Sequence, residues 1–201
     1  MTHLRFIFYC FLALLPLQGH SLMPEPLYRK LSQLQIPLSQ QLLIANIATQ
    51  KLMLYEWGQP IKEYPISTAA KGVGNRNGSF QTPLGLHQIS EKIGSNAPQF
   101  TVFESRIPTG QIWRPGEAEN EDLILTRILR LKGIEPGVNK GRNPQGIVID
   151  SHERYIYIHG TNHEKCLGTP SSKGCIRMNN RDIIDLFCRV QRGSLLWITE
   201  R

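Results

Sequence analysis

The residue types best suited to covalent chemistry lie in one short stretch near the C-terminal end, residues 155–178. In it, His159 precedes Cys175 by sixteen positions, and Gly174 comes directly before the cysteine. An imidazole can take the proton of a thiol, and the resulting thiolate attacks a carbonyl carbon. Backbone N–H groups near the nucleophile stabilise the negative charge that develops, and a glycine lets that backbone approach closely. The pattern therefore predicts acyl transfer, with Cys175 as nucleophile and His159 as base.

The flanking charges and the cysteine count favour this interpretation. Lys173 and Arg177 flank Cys175, and two such cations are expected to lower the pKa of the thiol. If the chain is exported, three cysteines remain, and an odd number leaves at least one thiol unpaired. A Cys166–Cys188 disulfide would leave Cys175 free. Taken singly, however, an exported cysteine is more often in a disulfide or buried, and a histidine at a strand end is more often a hydrogen-bonded surface residue.

A zinc site is the competing chemical interpretation of the same stretch. His159, His163, Cys166 and Cys175 are residue types that bind zinc. Their spacings, H-x3-H-x2-C and C-x8-C, match no pattern typical of zinc sites, and Gly160 argues against one helix carrying both histidines. We therefore expect neither a metal nor another cofactor.

The elements around these residues predict a mainly β domain with one or two short helices. Alternation in 155–159 predicts a strand that buries Ile156 and Ile158 and exposes His159 on the opposite face at its end. Helical spacing from Asn180 and the stop signal at Gly193 predict a helix, and 25–35 suits a short amphipathic helix or an irregular lead-in. Strands are predicted at 42–47, 52–56, 61–67, 84–89 and 194–199, the run 123–131 fits a strand or a helix, and loops are predicted at 71–81, 91–122 and 133–146.

The N-terminus predicts export. A cation at Arg5, a twelve-residue apolar run at 6–17 and small residues near Ser21 have the layout of a secretory signal peptide. The run is short for a membrane span, although an uncleaved anchor or a buried helix is the alternative. The net charge of +7 favours an anionic environment, but the chain has no arginine-rich run or zinc-finger spacing, which argues against nucleic acid. We expect a signal peptide at 1–21 and no stable membrane span in the mature chain.

At these residues the sequence resembles the L,D-transpeptidase family of bacteria, the YkuD-type catalytic domain. That family's signature is a histidine, then after roughly fourteen to seventeen residues Ser/Thr-His-Gly-Cys with an Asn or Arg shortly after. This chain has His159-Gly160-Thr161 and then 172–177, SKGCIR. The resemblance extends to the opening hairpin at 47–55 and to the block 64–69 with 82–85. It implies a YkuD-like β-sandwich or mixed sheet, with a lead-in segment at 22–40 and the catalytic domain at 41–199.

The resemblance implies a role for each residue of the signature. Cys175 would attack the carbonyl between the third and fourth residues of a peptidoglycan stem peptide and expel D-alanine, while His159 would take the thiol proton and later activate the acceptor amine. Family members are typically acylated by carbapenems. The remaining residues would form the oxyanion hole or hold the donor: Gly174 and Cys175 through their N–H groups, with Ser172, Arg177, Lys173, Gly160 and Thr161 around them.

The acceptor is left open by the sequence. The diamino acid of another stem would give a cross-link, the terminal lysine of an outer-membrane lipoprotein would give an attached lipoprotein, and water would give a carboxypeptidase. A non-catalytic wall-binding module is a further alternative, which the paired His159 and Cys175 argue against. This chain departs from the family at Lys173, where the family usually has histidine. The residue at this position, beside Cys175, bears on the pKa of the thiol. We expect the protein to act in the periplasm.

Overall fold

The computed structural model describes residues 23–118 and 120–200, so the predicted signal peptide at 1–21 lies outside the described residues. That part of the chain forms ten strands, two α-helices and one 3-10 helix. The strands are β1 (Gln41–Asn46), β2 (Lys51–Glu56), β3 (Gln59–Ser67), β4 (Gly85–Ile93), β5 (Thr101–Glu104), β6 (Ile107–Ile112), β7 (Ile124–Gly133), β8 (Tyr157–Gly160), β9 (Ile176–Met178) and β10 (Leu195–Thr199). The helices are α1 (Glu25–Gln33), the 3-10 helix (Glu164–Cys166) and α2 (Asn180–Arg189). The predicted mainly β fold with two short helices is confirmed.

The sheet closes on itself. The strand order is β4-β10-β1-β2-β3-β9-β8-β7, and β7 pairs again with β4, which joins the two edges into a barrel-like sandwich of eight strands. The β5–β6 hairpin extends from the start of β7, beyond the closed part. Most neighbours are antiparallel, and the pairs β1–β10 and β8–β9 are parallel. Closure leaves few open strand edges, which suits a β protein that must not pair with other chains.

The main core fills the inside of this sheet. Alternate residues of the strands point inward, among them Leu43, Leu54, Ile158 and Ile176. One face of α2, including Leu186, packs into the same core, and Asn179 caps the helix by accepting a hydrogen bond from the Arg181 N–H. The predicted helix is thus present, but it ends at Arg189, four residues before Gly193. The helix also packs against the neighbouring strands β7 and β8.

Two smaller clusters cover parts of the outer face. Helix α1 lies over β1, β4 and β10 through Leu27 and Leu31, so the lead-in segment is helical at its start. A partly buried ion pair between Lys30 and Glu135, at 2.6 Å, fastens it to the domain. The second cluster joins Phe103 of β5 to Ile128 and Tyr157. None of the helices in 23–118 or 120–200 is long and apolar enough to cross a membrane.

Local differences from the predicted elements have physical causes. The segment 91–122, predicted as an irregular loop, contains the end of β4 and the β5–β6 hairpin, whose exposed β6 carries no alternating burial pattern. The ambiguous run 123–131 is strand β7, because its residues are shared between three sheet partners, β4, β5 and β8, and two packed faces. Strand β9 has only three residues, too few for periodicity to reveal.

Candidate active site

The candidate site lies on the outer face of the sheet, where β8 and β9 run parallel. His159 and Arg177 are register partners, and so are Ile158 and Ile176, whose side chains enter the core. Cys175 lies two residues before Arg177 and therefore points to the same face as His159. Diagonal neighbours on paired strands lie about 7 Å apart, within reach of a cysteine and a histidine side chain. The two predicted catalytic residues are thus brought together by a strand pair that only the fold creates.

His159 is held in one tautomer. Its Nδ1 lies 2.7 Å from the carbonyl oxygen of Gly160, and a carbonyl can only accept, so Nδ1 carries the proton. Nε2 makes no hydrogen bond with the described residues and keeps its lone pair. Only 2% of the residue is exposed, so the expectation of an exposed base at the strand end is wrong. Burial lowers the pKa of His159 to about 4, and the imidazole is therefore neutral at physiological pH.

The Cys175 thiol lies against the backbone of β8 and the residues before it. Its Sγ donates to the carbonyl oxygen of Tyr155 at 3.6 Å. Burial raises the pKa of the thiol to about 11, although the Tyr157 N–H, Arg177 and Arg154 each lower it. The expectation that cations lower this pKa overall is therefore wrong, because the loss of solvent outweighs them. In the resting site both the thiol and the imidazole are neutral.

The turn before Cys175 is fixed by its own hydrogen bonds. The Gly174 N–H donates to Ser172 Oγ at 3.1 Å, and that hydroxyl donates to the Cys175 carbonyl oxygen at 2.6 Å. Gly174 has a φ of +132°, which only glycine adopts easily. The Gly174 N–H, the expected oxyanion donor, therefore already has an acceptor. The buried Ser172 hydroxyl bonds to both Gly174 and Cys175 and so stabilises the turn. Lys173 is exposed at the surface of this turn.

Arg177 lies inside the protein. It is 3% exposed, donates from Nη1 to Ser171 Oγ at 3.1 Å, and pairs through Nη2 with Asp122 Oδ2 at 2.6 Å. Its Nε is buried and has no hydrogen-bond partner among the described residues. Arg177, which is predicted to help hold the donor peptide, is paired with Asp122, and both charges act on His159 and Cys175.

Gly160 and Thr161 support the site from behind. A side chain at Gly160 would lie 2.8 Å from the Leu125 carbonyl oxygen, so the strand end tolerates only glycine. Thr161 is fully buried, and its carbonyl oxygen accepts from Asn180 Nδ2 at 2.7 Å. Asn180 also donates to Glu164, whose carboxylate sits at the first turn of α2, where a helix favours negative charge. These residues position His159. Gly160, Thr161 and Asn180 are buried, so they do not face the solvent side from which a substrate would enter.

The sequence interpretation missed Asp122, Tyr155 and Arg154. Asp122 lies in the segment predicted as a loop and has no distinctive spacing. Tyr155 has a φ of +56°, unusual for a residue with a side chain, and it turns its carbonyl oxygen to the thiol. Arg154 donates to the carbonyl oxygens of Gly74 and Gln81, at 3.0 and 2.7 Å, and thereby fastens the glycine-rich loop beside the cysteine turn. Only the fold shows these contacts.

The other cysteines are not joined. Cys166, Cys175 and Cys188 are all free, so the Cys166–Cys188 disulfide that the sequence left open is not formed. Glu164 binds the start of α2, while Cys188 lies eight residues further along it, about 12 Å at 1.5 Å per residue. That separation exceeds what a disulfide can span. Over 23–118 and 120–200, no group of three or more His, Cys, Asp or Glu side chains is arranged to hold a metal ion.

The family model and the similar proteins all point to L,D-transpeptidases. The family model for the L,D-transpeptidase catalytic domain, YkuD, matches residues 40–198. The probable L,D-transpeptidase YcfS of Escherichia coli is 28% identical over 153 residues, which cover 76% of this chain and 42% of that protein. The putative L,D-transpeptidase YkuD of Bacillus subtilis is 38% identical over 65 residues, 30% of this chain and 40% of that protein.

A solved L,D-transpeptidase from Mycobacterium smegmatis is similar with a TM-score of 0.47 and 16% identity, over 80% of this chain and 58% of that one. The chain spans less than half the length of the two curated relatives named above. The family match covers nearly all of the described domain, including both strands that carry His159 and Cys175. The chain belongs to the YkuD family of L,D-transpeptidase catalytic domains.

Proposed function

We propose that this protein is a peptidoglycan L,D-transpeptidase that transfers the acyl group of a tetrapeptide stem through Cys175. The observation that carries the proposal is the state of His159, whose Nδ1–H is tied to Gly160 while Nε2 stays unprotonated on the face it shares with Cys175. An imidazole so held is a ready general base. The family membership supports acyl transfer as the reaction class.

In the first step, Nε2 of His159 takes the thiol proton as Sγ attacks the carbonyl carbon between the third and fourth stem residues. The carbonyl π electrons move to oxygen. When the tetrahedral intermediate collapses, the C–N bond breaks and the imidazolium returns the proton to the departing amine of D-alanine. The products of this step are a thioester on Cys175 and free D-alanine, and His159 is neutral again.

The second step runs in reverse order with a new amine. His159 takes a proton from the acceptor amine as its nitrogen attacks the thioester carbonyl. Collapse then breaks the C–S bond, and the proton passes to sulfur. The acceptor is the diamino acid of another stem or the terminal lysine of a lipoprotein. Water in place of the amine gives a shortened stem.

Neutral resting groups suit this mechanism. Because the pKa of the thiol is raised to about 11 and that of the imidazole lowered to about 4, the resting pair carries no charge in a buried site. Charge develops only during attack, close to the Arg177–Asp122 pair, and the Cys175 N–H is the proposed donor to the oxyanion. The Gly174 N–H joins the oxyanion hole only if Ser172 Oγ releases it.

We propose further that the protein works outside the cytoplasm, in the periplasm, after removal of residues 1–21. The net charge of +7 suits an anionic cell wall. Fractionation of cells that produce the whole chain should place Cys175 reactivity in the periplasmic fraction. A chain beginning at residue 22, with no signal, should remain in the cytoplasmic fraction.

Carbapenem acylation tests the nucleophile. The purified protein under reducing conditions should gain one carbapenem mass, which peptide mapping assigns to Cys175. The Cys175→Ala variant should gain none, whereas Cys188→Ala, which removes an exposed thiol, should react like the unchanged protein. Absence of the adduct in the unchanged protein would refute the thiol nucleophile and would favour a binding module.

A tetrapeptide-containing muropeptide then distinguishes the acceptors. Formation of a dimer with release of D-alanine supports the transpeptidase, and a shortened monomer without dimer supports the carboxypeptidase. Both products should disappear in Cys175→Ala. A lipoprotein peptide with a terminal lysine, added in the same assay, reports attachment as a third product of defined mass.

A further inference from the structure

Arg106 occupies the turn of the β5–β6 hairpin under unusual backbone conditions. Ser105 and Arg106 have φ values of +46° and +72°, as in the two-residue turns at which Asn and Gly are favoured. A serine and an arginine at these positions cost free energy that Asn-Gly would avoid. Residues held in such conformations cluster at functional sites, so the contacts of the Arg106 side chain are of functional interest.

The Arg106 guanidinium lies against two tyrosines next to the nucleophile. Its Nη1 donates to Tyr157 Oη at 3.0 Å, and its Cζ lies 5.1 Å from the centre of the Tyr155 ring. Tyr155 is also the residue whose carbonyl oxygen accepts from the Cys175 thiol, and Tyr157 packs against Cys175. The hairpin therefore delivers a cation to the residues that surround the sulfur.

Within the described residues Arg106 forms no ion pair with a carboxylate, unlike Arg130 and Arg177. Arg130 pairs with Glu91 at 2.7 Å, and Arg177 pairs with Asp122. Arg154 has no such pair in the described chain, but its N–H groups donate to two backbone carbonyl oxygens and to Ser79 Oγ. Within the part of the chain that the structure describes, the bond to Tyr157 is the only hydrogen bond of the Arg106 guanidinium. Its other N–H groups are available to a ligand, and a guanidinium fits a carboxylate with two parallel bonds.

The Tyr155 ring adds to this arrangement. It is 54% exposed, and the guanidinium groups of both Arg106 and Arg130 lie within 5.1 and 5.5 Å of its centre. An aromatic ring beneath a guanidinium fixes the plane of its N–H donors while leaving them free to bind. An exposed tyrosine between two cations therefore makes a rigid, positively charged surface beside Cys175.

We propose that Arg106, supported by Tyr155, binds a free carboxylate of the acyl donor and so selects donors that carry one. The surface is a carboxylate site whatever the donor is, and its assignment to a stem peptide rests on the proposed function. Two carboxylates of such a stem have the required chemistry: the terminal one of the departing D-alanine and the one on the side chain of the third residue.

Alkylation of Cys175 tests the site without any peptide. Iodoacetate and iodoacetamide react alike, since sulfur bonds to the CH2 carbon and iodide leaves, but only iodoacetate carries a carboxylate. We expect the ratio of the two rates at Cys175 to fall about tenfold or more in Arg106→Gln. Peptide mapping follows Cys175 separately from Cys166 and Cys188.

The variants separate binding from a structural role. Glutamine at 106 keeps a donor for Tyr157 Oη but loses the charge, and Arg181→Gln removes an exposed arginine of α2 as the matched control. The Arg181→Gln ratio should equal that of the unchanged protein. An unchanged ratio in Arg106→Gln, or an equal fall of both rates, would overturn the carboxylate site.

Two amidated tetrapeptides identify the carboxylate. One has its terminal D-alanine carboxylate as an amide, and the other has the third-residue carboxylate as an amide. Turnover of the peptide that has lost the recognised group should no longer depend on Arg106. Equal dependence with both amides would overturn the assignment to the donor. If the unchanged protein turns over neither peptide nor the free acid while the alkylation preference holds, the proposed function fails and the carboxylate site stands.

Discussion

Two buried histidines in this domain look alike by burial and charge, yet their surroundings assign them different tasks. His87 in β4 and His159 in β8 are 0% and 2% exposed, and burial lowers the pKa of each to about 4. In both, Nδ1 is bound to the carbonyl oxygen of a nearby glycine, Gly85 and Gly160. A side chain at either glycine would meet buried neighbours, so neither position tolerates a larger residue.

The second ring nitrogen makes the difference. In His87, Nε2 lies 2.9 Å from Ser151 Oγ, which donates to it and completes its hydrogen bonding. In His159, Nε2 has no such partner in the described chain, and Cys175 lies on its face of the sheet. A depressed pKa therefore marks burial in both cases, whereas an unsatisfied lone pair beside a thiol marks only one of them as a base.

Replacing each histidine by glutamine should give the largest contrast. We expect His159→Gln to slow carbapenem acylation of Cys175 by about 10²- to 10⁴-fold, because the general base is lost. His87→Gln should acylate at nearly the original rate and should lose thermal stability instead. Acylation rates by mass spectrometry and melting temperatures measure both. Equal losses of acylation in the two variants would break the comparison.

The pH dependence of Cys175 alkylation should reveal the imidazole. Between about pH 6 and pH 8 a free thiol gains roughly a hundredfold in reactivity, because its pKa is about 8.5. Proton transfer inside a neutral thiol–imidazole pair does not depend on pH between the pKa of His159, about 4, and that of Cys175, about 11, so the rate should stay nearly flat. His159→Gln should restore the steep rise, and His87→Gln should stay flat. A steep rise in the unchanged protein would mean that the imidazole does not assist.

Both histidines should make folding sensitive to acid. Their pKa values are lower in the folded chain than the 6.5 of an unfolded one, so the unfolded state binds more protons as pH falls. The free energy of unfolding should be unaffected by them above pH 6.5 and should decline between about 6.5 and 4, by about 3 kcal/mol per histidine. Urea unfolding at several pH values measures this. The His87→Gln variant should show about half the decline, and an unchanged slope would contradict the assignment.

Ser151→Ala should make His87 resemble His159 at the second nitrogen. The change leaves a buried acceptor without a donor, which costs about 1–3 kcal/mol of the free energy of unfolding. Carbapenem acylation of Cys175 should not change, since Nε2 of His87 faces Ser151 and not Cys175. Chemical unfolding and the acylation rate are measured on the same preparation. A fall in acylation without a loss of stability would mean that His87 takes part in the site.

The extent to which the sequence predicted the site differs from residue to residue. Cys175 and His159 were found because a nucleophile and a base are recognisable by type and spacing, and their catalytic roles stay predictions. Asp122 and Arg106 were missed because each lies in a segment without periodicity, and their contacts join positions far apart in the chain. The direction of the thiol pKa was wrong because flanking cations are visible in a sequence and burial is not.

For the fold, too, the sequence predicted the features that depend on local signals and missed those that do not. Alternation and turn residues predicted the meander β1–β3 and the strands β4, β8 and β10, since those signals are local. They left the nature of β7 open and did not reveal β9 or the β5–β6 hairpin, because short or exposed strands carry no periodic burial.

By itself the sequence determined which residue types were available, and that His159 and Cys175 belong to one family signature. The tertiary structure decided that β8 and β9 pair in parallel, which places the imidazole and the thiol on one face. It also decided that the imidazole and the thiol are neutral and that Gly174 and Ser172 are hydrogen-bonded to each other. It left most N–H groups of Arg106 without a hydrogen bond to the described residues. These properties depend on burial and on contacts distant in sequence, which local residue order does not specify.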